Sequence, residues 1–253
     1  MDIQVFESTR KLAAHAASLF IACINEKPNA VLGFATGSTP VETYRELISL
    51  NKAGRVDFSK VTSINLDEYV GLSSEDTQSY IHFMKENLFD SINISPANTH
   101  ILNGKAQNLL NECLRYDALI VEKGGIDLQL LGIGPNGHIA FNEPCDYFPM
   151  TSHLVNLSEE TIRANTRFFE SMDEVPRQAL TMGTGQIFMA KKIALLATGE
   201  GKAAAITSAL LGPVTPMCPA SILQLHSNVT FLLDSSAASG ILGAPGVYYK
   251  EFH

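Results

Sequence analysis

The stretch AVLGFATGSTPVETYRELISLN, residues 30–51, contains the unit from which the fold is predicted. Its first six residues are almost entirely apolar, which is typical of a strand covered on both faces of a sheet. A short turn of small residues follows. Pro40 suits the first turn of a helix, and Thr39 is a candidate N-cap for it. A strand, a turn and a helix in this order form one βα unit.

The same alternation recurs along the chain. Further strand-like runs cover residues 61–66, 126–134, 192–199 and 229–234. Helix-like segments cover residues 10–25, 40–51, 77–90, 106–123, 158–170, 184–190 and 201–211. We therefore predict an α/β fold in which residues 1–253 form a single domain: an open, doubly wound, mostly parallel, Rossmann-like sheet flanked by helices. Because ligands bind beyond the carboxyl ends of such strands, the residues directly after each apolar run are the candidate site.

Composition excludes several classes of protein. The 253 residues are 45% hydrophobic, and 18 basic against 26 acidic residues give a net charge of −8. This charge argues against nucleic acid or an anionic membrane as a partner, so an anionic small molecule would need local cations or amide donors. No apolar run approaches a membrane span, and the N-terminus lacks the basic start of a signal peptide. Four scattered cysteines predict reduced thiols in the cytoplasm.

Two strand ends have features of anion binding. In FATGSTP, residues 34–40, Gly37, Ser38 and Thr39 lead into a helix whose N-terminus offers free N–H groups and a positive dipole end. An ordinary strand–turn–helix connection is the alternative. In LATGEGKAAAI, residues 196–206, Lys202 opens a helix and could hold a phosphate as a point charge, although a surface lysine has the same pattern.

The two remaining strand ends carry acid–base groups. NLDEY, residues 65–69, presents Asp67 and Glu68, either as a general base or as an ordinary polar strand end. LLGIGPNGHIAFNEP, residues 130–144, contains His138 near Glu143, and a carboxylate beside a histidine orients the ring for proton transfer. A structural histidine is the alternative. The spacing matches no known metal site, so we predict no metal.

The motifs TGSTP, NLDEYVGL, GIGPNGHIAFNEP, ANTRFF and GEGKA, in this order, resemble those of the glucosamine-6-phosphate deaminase family. The resemblance extends from about residue 31 to about residue 234. It implies an open α/β sheet, shared with ribose-5-phosphate isomerase and 6-phosphogluconolactonase. It also implies the conversion of glucosamine 6-phosphate and water to fructose 6-phosphate and ammonia without a cofactor.

The resemblance assigns roles to residues that match its motifs. Asp67 is expected to move a proton from C2 to C1, His138 to open the sugar ring and Glu143 to support His138. Asn136 stands where the family has Asp or Asn, and an amide cannot act as a charged acid–base group, so we expect it to orient its neighbours. The positions that match the family's phosphate site are Gly37, Ser38, Thr39, Arg167 and Lys202.

Residues 157–180 resemble the family's mobile lid, on which Arg167 would couple closure to phosphate binding. An amphipathic surface helix is the alternative. Some family members are hexamers activated by N-acetylglucosamine 6-phosphate through basic residues after the NEP string. Here His153 and Val155 occupy those positions. We therefore expect a monomer or small homo-oligomer without this control.

Two other functions would also use a sugar-phosphate site on this fold. A 6-phosphogluconolactonase-like enzyme would use the phosphate loop and the His loop but would need no base in the second strand end, and NLDEYVGL argues against it. A non-catalytic sugar-phosphate sensor would carry a DNA-binding helix-turn-helix and a basic face, for which this acidic chain has no spare segment. Whether glucosamine or galactosamine 6-phosphate is preferred stays open, as does the role of Cys145, for which a small buried side chain is expected.

Overall fold

The computed structural model describes residues 1–166, 169 and 171–252. Its strands are β1 Asp2–Phe6, β2 Val31–Phe34, β3 Thr62–Asn65, β4 Asp67–Tyr69, β5 Thr99–His100, β6 Leu128–Leu131, β7 His153–Asn156, β8 Gln178–Thr181, β9 Ile193–Ala197, β10 Val229–Asp234 and β11 Lys250–Phe252. Its α-helices are α1 Thr9–Glu26, α2 Val41–Lys52, α3 Tyr80–Asn87, α4 Leu109–Glu122, α5 Glu159–Asn165, α6 Thr184–Phe188 and α7 Ala203–Leu211.

The main sheet has eight strands in the order β11-β1-β10-β9-β6-β2-β3-β5. Every neighbouring pair in it is parallel. This confirms the predicted α/β class. The five apolar runs predicted as strands became β2, β3, β6, β9 and β10, which include the centre of the sheet.

Helices cover the sheet on both faces, as a doubly wound fold requires. Side chains alternate along each strand, so that Leu195 of β9 enters one hydrophobic core and Leu196 enters the other. The first core contains residues of α4, α6 and α7, such as Tyr116 and Ile206. The second contains residues of α1, α2 and α3, such as Phe20.

A second sheet, with the strand order β4-β8-β7 and antiparallel pairing, was not predicted. Only Leu66 separates β3 from β4, so the chain passes from the main sheet into the small one at that residue. Residues 178–180, which the sequence placed at the end of a helix-like segment, belong to β8. Ala179 and Leu180 are fully buried there, and this burial favours the strand.

One predicted helix start is corrected. Pro40, rather than Thr39, occupies the N-cap position of α2, and no side chain caps this helix. Four other helices have a side-chain N-cap: Ser8 for α1, Ser79 for α3, Asn108 for α4 and Ser158 for α5. Within the described ranges, no helix has the length and apolar character needed to cross a membrane.

Candidate active site

A cleft of about 570 Å³ opens where the neighbouring strands β3, β2, β6 and β9 end. All four strand ends singled out in the sequence line it. It brings together the predicted residues Gly37, Ser38, Thr39, Asp67, Asn136, His138 and Lys202. Glu143 lies behind this lining and contacts Asn136. Arg167 lies outside the described residues.

The loop after β2 forms one wall of the cleft. Gly37 has a φ of 94°, a left-handed conformation that side-chain-bearing residues rarely adopt. The turn leads directly into α2, whose first N–H groups have no partner within the helix. Glu42 in the first turn of α2 would repel an anion, but it forms an ion pair with Arg45. The backbone here therefore remains suited to hold an anion.

Lys202 approaches the same region from the loop after β9. It ends a 3-10 turn, Glu200–Lys202, and stands at the N-cap position of α7. The turn is fixed by Asp234, whose two carboxylate oxygens accept hydrogen bonds from the Gly199 N–H at 3.1 and 2.9 Å. The lysine is thus carried by a loop that is anchored to the end of β10.

Asp67 begins β4 and is only 6% exposed. Burial, with a smaller contribution from the neighbouring charge of Glu68, raises the pKa of Asp67 to about 8. No described residue donates a hydrogen bond to its carboxyl group. A buried carboxyl that no hydrogen bond stabilises and that faces a cleft is suited to accept a proton from a ligand.

Glu68 has a structural role instead. Its carboxylate accepts hydrogen bonds from the backbone N–H groups of Tyr69 at 2.8 Å, Tyr80 at 2.9 Å and Ile81 at 3.0 Å. Two of these donors belong to the first turn of α3, so Glu68 ties β4 to the N-terminus of that helix. Burial raises the pKa of Glu68, and the three N–H groups oppose this effect.

The His138 loop folds tightly on itself. The Gly134 N–H donates to the His138 carbonyl at 2.9 Å, and the Gly137 N–H donates to the Gly134 carbonyl at 3.0 Å. The imidazole lies directly over Gly134, where an added Cβ would come within 2.1 Å of the ring. Ala140 adopts a left-handed φ of 52° in the same loop. Such backbone strain is common at functional sites.

Glu143 lies in a dense network behind His138. Its Oε2 accepts from Asn136 Nδ2 at 2.7 Å and lies 3.6 Å from His138 Nδ1. Its Oε1 accepts from the Thr161 hydroxyl and, at 3.4 Å, from Ser158. Although burial opposes ionisation, these polar neighbours and His138 lower the pKa of Glu143 to about 2. Glu143 is therefore ionised at every physiological pH.

In the part of the chain described, no group of three or more His, Cys, Asp and Glu side chains is arranged to hold a metal ion. Cys145, expected to be buried, is half-buried, and its Sγ donates to the Tyr147 carbonyl at 3.0 Å. The four cysteines are all free thiols.

Sequence reasoning missed some residues of the cleft. Tyr80, at the start of α3, and Thr161, in α5, line it. Neither follows an apolar run, so the rule of strand ends could not find them. Ser158, followed by two acidic residues, is typical of a helix start, which locates Thr161 in the first turn of α5 but not against Glu143.

A family model described as glucosamine-6-phosphate isomerases/6-phosphogluconolactonase matches residues 5–232. The glucosamine-6-phosphate deaminase of Lachnoclostridium phytofermentans is 56% identical over 221 residues, which cover 87% of this chain and 94% of that protein. A glucosamine-6-phosphate deaminase of Clostridium perfringens is 51% identical over 238 residues, which cover 94% of this chain and 98% of that protein.

The chain is also similar to solved structures of both branches of this family. A structure described as a monomeric glucosamine-6-phosphate deaminase is 46% identical, with a TM-score of 0.93, and the match covers 95% of this chain and all of that one. The 6-phosphogluconolactonase of Trypanosoma brucei is 19% identical, with a TM-score of 0.71, over 95% of this chain and 98% of that one. The second likeness is one of fold alone.

Proposed function

Because this chain belongs to the family of glucosamine-6-phosphate isomerases and 6-phosphogluconolactonases, we propose that it is an enzyme of the deaminase branch. It converts glucosamine 6-phosphate and water to fructose 6-phosphate and ammonia. Identities of 50–56% to glucosamine-6-phosphate deaminases, over nearly the whole chain, support this activity over that of a lactonase.

The observation that carries the proposal is the Asp67 carboxyl. Aldose–ketose isomerisation needs a base that takes a proton from C2 and returns it to C1, whereas hydrolysis of a lactone does not. Asp67 lines the cleft beyond the end of β3, and no described residue donates a hydrogen bond to it. Its raised pKa makes it a stronger base than an exposed aspartate once it is ionised.

The substrate phosphate is proposed to bind at the opposite wall. Gly37, Ser38 and Thr39 would supply backbone N–H groups, and Lys202 and Arg167 would supply positive charge. This arrangement places a dianion beside the N-terminus of α2, where the helix dipole favours negative charge. It also resolves the conflict between a net charge of −8 and an anionic substrate.

Catalysis is proposed to begin with ring opening. His138 transfers a proton between the anomeric hydroxyl and the ring oxygen, and Glu143 and Asn136 hold it in place. Opening generates an aldehyde at C1, which makes the C2 proton acidic. Asp67 then removes that proton to give an enolamine and returns it to C1, which leaves an imine at C2. Water adds to this imine, and the resulting carbinolamine expels ammonia to give the ketose. Each positioned acid or base contributes roughly 10²–10⁴-fold.

The test is ammonia release and fructose 6-phosphate formation from glucosamine 6-phosphate in the presence of EDTA, with wild type beside Asp67→Asn. We expect turnover by wild type and a loss of about 10³-fold or more in the variant, which should still bind substrate. Turnover by the variant at the wild-type rate would remove Asp67 from its role. If wild type released no ammonia, hydrolysis of 6-phosphogluconolactone would be measured next.

The proposal also covers the sugar preference, the oligomeric state and the cellular compartment. Galactosamine 6-phosphate, tested in parallel, decides the preference at C4. A monomer or small homo-oligomer is proposed, in line with the monomeric state stated for the 46% identical deaminase. Four free thiols support a reducing compartment, and we place the enzyme in the cytoplasm.

A further inference from the structure

The start of α5 is fastened to Glu143 by a chain of hydroxyl groups. Ser158 caps the helix by accepting a hydrogen bond from the Thr161 N–H at 3.1 Å, and its own hydroxyl lies 3.1 Å from Thr161 Oγ1. Thr161 Oγ1 in turn donates to Glu143 Oε1. Thr161 is only 5% exposed and the Glu143 side chain is 14% exposed, so the contact is largely shielded from water. The hydroxyl is thus a fixed partner of one Glu143 oxygen.

The other oxygen of Glu143 is held from the opposite side. Asn136 Nδ2 donates to Oε2 at 2.7 Å. His138 Nδ1 lies 3.6 Å from the same oxygen, beyond hydrogen-bond distance. This nitrogen is buried and has no hydrogen-bond partner within the described residues. An approach of less than about 1 Å by the carboxylate would give it one.

Thr161 is therefore the contact through which the position of α5 reaches the acid–base pair. The helix contributes Glu160, Thr161 and Asn165 to the wall of the cleft, so a ligand that filled the cleft would contact α5. If α5 moves, the hydroxyl leaves Oε1, and Glu143 loses the donor that fixes its orientation toward Asn136 and His138.

We propose that Thr161 is a positioning residue, which links α5 to Glu143 and so determines how Glu143 faces His138. The proposal rests on the deaminase function for its kinetic consequence, but the link itself is a property of the protein. A side chain that served only to cap or pack α5 would not affect the proton shuttle selectively.

The kinetic test compares three variants. Thr161→Val removes the hydroxyl at nearly constant shape, Thr161→Ser retains it, and Thr166→Val removes a hydroxyl of the same segment that donates to the Ile162 carbonyl instead. We expect Thr161→Val to lower kcat by about 10- to 100-fold, the effect of one hydrogen bond to a charged group, with KM changed less than about threefold. The other two should keep kcat within about threefold.

The link also has a readout that needs no turnover. Hydrogen exchange at the amides of residues 162–165 should accelerate in Thr161→Val and stay at the wild-type rate in Thr161→Ser. If wild type releases no ammonia, the deaminase function fails, and this measurement still decides whether Glu143 holds α5.

Four results would overturn the proposal, three of which concern Thr161 itself. Those three are a Thr161→Ser enzyme as slow as Thr161→Val, a raised KM with kcat unchanged, and exchange rates in Thr161→Val equal to those of wild type. An equal loss in Thr166→Val would also contradict it, since any hydroxyl of the segment would then suffice. If Thr161→Val does not fold, Thr161→Ala removes the same hydroxyl and takes its place in both measurements.

Discussion

Asp67 shows how a single residue can be costly to the fold and useful to the site. Its carboxyl group is buried and lies close to the negative charge of Glu68. No described residue donates a hydrogen bond to it. Each of these conditions disfavours the ionised form, and each also makes that form more basic. Such a conflict between stability and activity is expected at catalytic positions.

The stability of the protein should therefore depend on Asp67 in a pH-dependent way. The pKa of Asp67 is about 8 in the folded protein and near 4 in the unfolded chain, so the folded state binds one more proton between these values. The contribution of Asp67 to the free energy of unfolding is therefore fully present below pH 4 and is lost as the pH rises toward 8. Asp67→Asn does not titrate, and we expect its advantage over wild type to grow from near zero at pH 4 to a few kcal/mol at pH 9.

Chemical denaturation of both proteins at several pH values measures this difference. A constant difference across the range would mean that Asp67 ionises as freely in the folded protein as in the unfolded chain.

Gly134 is a second residue whose identity the site requires. Because the His138 imidazole occupies the space of a side chain there, Gly134→Ala should displace the ring and lower kcat by 100-fold or more. Gly132→Ala is the matched control for stability, since its Cβ would meet no atom within 4 Å. Thermal unfolding should find Gly132→Ala at the wild-type Tm, and a fully active Gly134→Ala would contradict the observed ring position.

The site residues that could be predicted lie at strand ends, whereas those that could not depend on contacts between distant parts of the chain. Asp67 and His138 follow apolar strands, and the geometry of a parallel sheet gathers strand ends at one edge. Glu68 and Thr161 act through partners 12 and 18 positions away along the chain. Those contacts depend on where whole elements pack, which local patterns do not specify.

At the scale of elements, α3 depends on a carboxylate from another element. Glu68 satisfies two N–H groups of its first turn, which otherwise have no partner within the helix. In Glu68→Gln an amide NH₂ would face at least one of these donors. We expect a loss of about 1–3 kcal/mol in unfolding free energy, the cost of a buried polar group without a partner.

The surface substitution Glu75→Gln, on an exposed residue of the preceding loop, is the control and should change stability by less than about 0.5 kcal/mol. Urea unfolding gives both values. Equal effects of the two substitutions would show that the N–H groups of α3 do not need the carboxylate.

Elements were predictable where the sequence has a clear apolar pattern. The seven predicted helical segments correspond to α1–α7, of which α1, α2 and α4 span three or more turns and show the helical period most clearly. The strands β2, β3, β6, β9 and β10 were predicted because they lie within apolar runs. The strands β4, β5, β7, β8 and β11 have two to four residues, polar ones among them, and form no such run. The small antiparallel sheet, which contains Asp67 at the start of β4, could therefore not be predicted from the sequence.

At the scale of the whole molecule, the expected simple kinetics follow from the stretch after the NEP string. His153 is half-buried and Val155 lies in β7, so neither position holds a lysine or an arginine. We expect a hyperbolic dependence of rate on substrate that N-acetylglucosamine 6-phosphate does not alter. Light scattering should find a monomer or small oligomer, and a sigmoidal curve made hyperbolic by the acetylated sugar would refute this.

The position of β1 in the sheet has a consequence for synthesis on the ribosome. Asp2 pairs with Thr230, and β11 pairs with the other edge of β1. At 5–20 residues per second, the first strand emerges roughly ten to fifty seconds before its earlier partner. Throughout that interval the apolar side chains of Ile3, Val5 and Phe6 lack their sheet, so the nascent chain presents them to chaperones or to neighbouring polysomal chains. A chain truncated before β10 would leave them in that state permanently.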